Sequence, residues 1–133
     1  MTVKRLSTLT VLVADDFEDT RALLRRMLES HNCRVVEAAD GLEAVEMARR
    51  ACPNLILMDL NMPMLDGLAA AEQIRSCQEG CRGVPILAIT AFDTYGMREA
   101  AIEAGCDDYI TKPINAGDLE RALLSLVPDG NDR

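Results

Sequence analysis

The sequence has no tryptophan, only two phenylalanines and two tyrosines, so its apolar half must pack as an aliphatic, alanine-rich interior without aromatic plates. Basic residues are also few: 14 Lys and Arg against 22 Asp and Glu leave a formal charge of −8. That balance argues against binding nucleic acid or an anionic membrane through a broad electrostatic surface, and it suits cations. No apolar run approaches the roughly 20 residues of a membrane-spanning helix. The five cysteines, Cys33, Cys52, Cys77, Cys81 and Cys106, form no CxxC pair and follow no secretory signal. They read as reduced packing thiols of a cytoplasmic protein, and Cys77 with Cys81 offers too few ligands for zinc.

What is present is a regular alternation. Residues 1–8 are polar and basic without periodicity and read as an N-terminal tail, 9–127 as one domain, and 128–133 as a polar C-terminal tail. A domain of this size buries ~65–70% of the surface its unfolded chain exposes, enough for a single core. Leu9–Ala14, Cys33–Ala38, Leu55–Asp59, Pro85–Thr90 and Cys106–Thr111 read as strands, the second less uniformly apolar and therefore an edge. The intervening helices place inward Ala22, Leu23, Met27 and Leu28, then Leu42, Val45 and Ala48, and the run from Leu68 to Cys77 reads as an alanine-rich third helix. Asn32 ends the first, and Gln78 to Val84 is a loop. A fourth helix spans Thr94 to Ala104 with Gly96 in its interior, which should make it the softest, and a fifth turns Leu119, Ala122, Leu123 and Leu126 inward. His31, the only histidine, reads as a surface residue stabilising a helix end. Strands spaced for βαβ units imply, through right-handed crossovers, a parallel sheet with helices on both faces.

In such a sheet every carboxyl end lies on one edge, so Asp15-Asp16, Asp59, Thr90 and Lys112 arrive together from four strands. Taken singly each has an ordinary explanation: an N-cap or turn acid, a β-forming threonine, a solvated loop lysine. Taken together, three crowded carboxylates repel one another unless a cation intervenes, and a hard divalent ion such as magnesium leaves coordination positions for phosphate oxygens. With a hydroxyl and a lysine added, the set can surround a phosphoryl group, and Asp59 is the central candidate nucleophile.

These residues lie in VADD at 13–16, the strand ending in Asp59 with NMPMLDG after it, ITA at 89–91 and DDYITKP at 107–113. In this order and spacing the chain resembles the receiver domain of two-component response regulators, over about Leu9 to Val127. The resemblance implies an α/β, doubly wound, flavodoxin-like fold: a five-stranded parallel sheet of order 2-1-3-4-5 with five helices. It implies that Asp59 is the phosphoacceptor for a histidine kinase or phosphotransfer protein, or for a small donor such as acetyl phosphate. Mg²⁺ would be held by Asp16, Asp59 and the backbone carbonyl of Asn61, with Asp15 acting mainly through water. Lys112 would pair with the phosphoryl oxygens, Thr90 and Tyr109 would form the switch, and the Lys112-Pro113 bond would be cis. Phe92, two residues after Thr90, lies where the family controls access of the hydrolytic water, and its ring offers that water no hydrogen bond. Ile114 stands where DNA-binding members often have phenylalanine.

The implied output is a shift of the face formed by the fourth helix, fifth strand and fifth helix, read by an unidentified downstream protein, with the chain a monomer or weak homodimer. It would be a signalling receiver that catalyses only its own phosphorylation and dephosphorylation. Three alternatives stay open: a receiver belonging to a longer regulator or hybrid kinase, a phosphorylation-independent docking scaffold, and a small aspartyl-phosphate phosphatase. The last needs a second acid where Asn61 stands, and a substrate cap.

Overall fold

The computed structural model describes residues 9–76, 83–91 and 95–126. Strand β1 (Thr10–Ala14) lies between β2 (Arg34–Ala38) and β3 (Leu55–Asp59), and β4 (Ile86–Thr90) and β5 (Asp108–Thr111) extend the sheet beyond β3. All pairings are parallel and the order is β2-β1-β3-β4-β5, as the alternating pattern and the resemblance implied. The edge position of β2 explains its mixed composition: only Ala38 is fully buried there, whereas every residue of β3 and β4 is.

Alternate strand residues face opposite layers. On one side Val11, Val13, Leu55, Leu57, Leu87 and Ile89 meet α1 (Glu18–Glu29) and α5 (Ala116–Leu126) through Leu24, Leu28, Leu119 and Leu123. On the other, Leu12, Ile56, Met58 and Ile86 meet α2 (Gly41–Ala51), α3 (Gly67–Arg75) and α4 (Met97–Ala104), largely through alanines: Ala44, Ala48, Ala70, Ala71, Ala101 and Ala104. Small side chains let these three helices sit close to the sheet and to one another.

Several expectations shift. The strands begin at Thr10, Arg34, Ile86 and Asp108, one or two residues later than their apolar runs, although Leu9 and Pro85 still accept backbone bonds from Arg34 and Ile56 on the neighbouring strands. On α1 the buried residues are Leu24 and Leu28; Ala22 is exposed and Leu23 is 47% exposed. The apolar triplet Ala22-Leu23-Leu24 permits two helix phases, and contact with β1 selects the one through Leu24. Leu42 also turns outward while Ala44, Val45 and Ala48 turn in. Gly96 is not interior to a helix: it is the N-cap of α4 at φ 84°, a left-handed conformation that glycine adopts without a Cβ clash. His31 is half-buried, its Nε2 3.9 Å from Glu120 of α5. Asn32, at φ 67°, follows the cap Ser30 and completes the stop. The two tails, most of the loop from Gln78, Cys77, Cys81, Phe92 and Thr94 lie outside the described residues.

The loop from Leu60 to Asp66 is gripped by two glycines. A Cβ on Gly41 would lie 1.6 Å from the carbonyl oxygen of Leu65, and one on Gly67 would lie 2.3 Å from that of Asp59 and 2.7 Å from the Leu60 Cα. Both obstacles are backbone and cannot rotate away. We therefore expect Gly67→Ala to cost about 1–3 kcal/mol in urea unfolding, while Gly83→Ala, with nothing within 4 Å of the new methyl, stays within about 0.5 kcal/mol of the parent. Equal effects at the two sites would contradict this packing.

Candidate functional site

Asp15 follows the last residue of β1, Asp59 and Thr90 end β3 and β4, and Lys112 follows β5, so the topology delivers all four to the carboxyl edge of the sheet. Asp15, Asp59 and Thr90 are buried, at 1%, 3% and 0% exposure; Asp16 faces solvent. Oxygens of Asp15, Asp16 and Asp59 all lie within 4.8 Å of one another. Lys112 Nζ is 3.1 Å from Asp15 Oδ2 and 3.6 Å from Asp59 Oδ2.

Backbone donors hold the inner oxygens. The Phe17 N–H donates to Asp15 Oδ1 at 2.8 Å, and the Asn61 N–H donates to Asp59 Oδ1 at 3.0 Å. The Asn61 side-chain amide donates to Thr90 Oγ1 at 3.2 Å, tying the loop after β3 to the end of β4. Asp15 Oδ2 is different: among the described residues it is buried without an aligned hydrogen-bond donor, facing the Lys112 charge. A buried carboxylate oxygen left in that condition, beside two further carboxylates, is chemistry suited to a hard cation with oxygen ligands.

Burial pushes the Asp59 carboxyl up to about 6; the Asn61 amide opposes this, the Asp15 charge adds to it, Lys112 opposes it and Asp16 adds a little more. The sequence candidates Asp15, Asp16, Asp59, Asn61, Thr90 and Lys112 are thus brought together. Tyr109 is not in that cluster. It is buried on β5 opposite Ala88, two residues before the Thr90–Thr111 pair, and lines a groove of about 550 Å³ with Arg98, Ile114 and Arg121. The Lys112-Pro113 bond is cis. Two residues beside the cluster were not anticipated. Arg21 donates from Nη1 to the carbonyl oxygen of Asp15 at 2.8 Å and from Nε to Glu37 Oε1 at 2.9 Å. The available signal was an acid inside a strand, Glu37 after Val35 and Val36, which needs a basic partner.

A family model described as the response regulator receiver domain matches residues 11–124. The chain is 33% identical to the polar-differentiation response regulator DivK of Brucella ovis, over 92% of this chain and 98% of DivK. It is 38% identical to the response regulator MprA of Mycobacterium leprae over 88% of this chain, and spans only 50% of MprA. Among solved structures, the receiver domain of the sensor histidine kinase PA1611 of Pseudomonas aeruginosa superposes with a TM-score of 0.83 and 38% identity, covering 91% of this chain and 98% of that one. That structure holds a magnesium ion in its active-site cleft.

The raised Asp59 carboxyl has a consequence for stability. Its value is higher in the folded chain than the ordinary 3.8, so its contribution to stability is complete below pH 4 and is lost as pH rises through about 6. In metal-free buffer the loss amounts to about 2–3 kcal/mol by pH 7.5. Asp59→Asn removes this penalty, so urea unfolding in EDTA should show the variant gaining on the parent by that amount between pH 4 and pH 7.5. A difference between the two proteins that does not change with pH would contradict the assignment.

Proposed function

The chain belongs to the response regulator receiver domain family, and on that premise we propose that Asp59 is its phosphoacceptor, loaded by a phosphohistidine on a histidine kinase or phosphotransfer protein. The observation that carries this reading is the meeting of Asp15, Asp16 and Asp59 within 4.8 Å, with Lys112 on two of them. The magnesium-holding cleft of the PA1611 receiver supports the same cation here. Asp16, Asp59 and the Asn61 carbonyl would hold it, with Asp15 acting through water. Bound there, Mg²⁺ would supply charge neutralisation for the phosphoryl oxygens.

The chain's own residues do the rest. An Asp59 carboxylate oxygen attacks phosphorus; the new P–O bond forms as the P–N bond to the imidazole breaks, and the imidazole leaves with the nitrogen lone pair and takes a proton from solvent. The Asn61 N–H keeps the other Asp59 oxygen in place. Lys112, already beside Asp15 and Asp59, pairs its compact ammonium with the incoming phosphoryl oxygens. Burial of Asp59 limits competing water.

The hydroxyl of Thr90 is the element that senses the product. It now accepts from the Asn61 amide, and a phosphoryl group on Asp59 offers it stronger acceptors to which it donates. The new bond donated by its hydroxyl pulls Thr90 toward the site, and Tyr109 on the neighbouring strand responds by repacking. The α4-β5-α5 face, where Tyr109 lines the groove, then presents a different surface to a downstream protein. This is a population shift between two packings of one fold.

Intact-mass measurement after incubation with Mg²⁺ and phosphorylated kinase or phosphotransfer protein tests the proposal. We expect one phosphoryl adduct that requires the metal, disappears in EDTA and is absent in Asp59→Asn. Failure of a competent donor to load the parent, or an adduct that persists in Asp59→Asn, would contradict it and favour a docking role independent of phosphorylation.

A further inference from the structure

The backbone of Asp15 is clamped from outside the acidic cluster on both of its peptide units, the second of which joins it to Asp16. Asp15 N–H donates to Ala38 O at 3.1 Å, continuing the ladder with β2, and the Asp15 carbonyl accepts from Arg21 Nη1 at 2.8 Å. The same guanidinium donates through Nε to Glu37 Oε1 at 2.9 Å on β2, and Glu37 Oε2 is 3.1 Å from Arg25 Nη2. Arg21 is 17% exposed at its side chain, so its fork is held by packing as well as by these partners. The carbonyl it grips belongs to the plane that carries the Asp16 N–H, and rotation of that plane would redirect the Asp16 side chain relative to Asp15 and Asp59. Asp16 itself is exposed, and among the described residues its side chain makes no hydrogen bond. Its orientation therefore depends on its backbone.

We propose that Arg21 is a positioning residue for the cation site: by fixing the Asp15–Asp16 peptide plane against Glu37, it aims the Asp16 carboxylate into the cluster. The role rests on the magnesium reading above and extends it to a residue that touches neither the ion nor the phosphoryl group. Its sign separates it from simple electrostatics. Arg21 carries positive charge beside the carboxylates, so if charge alone mattered its removal would strengthen binding of a divalent cation. If it positions, removal must weaken binding. Loss of an outer partner of a metal ligand commonly costs about 10–100-fold in affinity; here, with one of several ligands affected, the lower end applies.

The test is an NMR titration of the full chain with MgCl₂, reading amide shifts in the parent, Arg21→Met, Arg21→Lys and Arg25→Met. Arg25→Met is the control: it removes the same charge from the same helix and the other ion pair to Glu37, but leaves the Asp15 carbonyl bonded. We expect Arg21→Met to bind Mg²⁺ about tenfold more weakly and Arg21→Lys to fall between it and the parent. Arg25→Met should match the parent or bind slightly tighter. The Asp16 ¹⁵N resonance, on the same peptide unit, should move in Arg21→Met before any metal is added and stay in place in Arg25→Met. If Arg21→Met fails to give a folded spectrum, Arg21→Lys decides alone: weaker binding supports positioning and parent-like binding overturns it. Parent-like or tighter binding by a folded Arg21→Met, or equal weakening by Arg25→Met, also overturns it. Failure of the parent itself to bind Mg²⁺ would instead remove the cation reading on which the role rests.

Discussion

One ammonium group stands against three carboxylates at the rim of this sheet, and the rest of the structure is arranged around that imbalance. Lys112 reaches Asp15 and Asp59 but cannot neutralise both and Asp16 as well, so two negative charges remain in a partly buried site. Folding opposes this through the Asp59 carboxyl, pushed up to about 6, and through backbone donors on Asp15 and Asp59. Such a site is costly when empty of charge partners and stabilised by a divalent cation or by groups that carry one. Glycines let the Leu60–Asp66 loop close on Asp59, and the alanines of α2, α3 and α4 let those helices pack on the sheet that carries the site.

Much of this is legible in the sequence because it depends on chain position alone. A short apolar run that ends in an acid reads as a buried strand with its carboxylate at the rim, and parallel pairing then gathers Asp15, Asp59, Thr90 and Lys112 on one edge without knowledge of any side-chain contact. The same logic recovers β2 as an edge strand from its less uniformly apolar composition, and in the structure only one of its residues is fully buried. Family resemblance adds the strand order and the cis bond before Pro113, both found in the structure; neither follows from hydrophobic pattern.

What stayed illegible has specific physical causes. Three consecutive apolar residues at 22–24 fit two helix phases, so Leu23 and Leu24 exchange roles until β1 chooses between them. Gly96 carries the same one-letter signal whether it weakens a helix or starts one, and only its positive φ tells which. Arg21 has a backbone carbonyl as its target, and a carbonyl leaves no mark on residue type; the partnership with Glu37 becomes visible only when α1 lies across β2. Residues that act through the main chain of a site are thus the ones a sequence hides best.

The most direct measurement is the apparent pKa of the Asp59 carboxyl, followed by carbon-13 NMR of the side-chain carboxylates in metal-free buffer and again in saturating MgCl₂. The expected result is titration near 6 without metal and a clear downward shift with it, since a cation in contact favours the ionised form. An ordinary carboxylate titration in metal-free buffer that magnesium leaves unmoved would contradict the view that burial and charge crowding at this rim together prepare a cation-dependent phosphoacceptor.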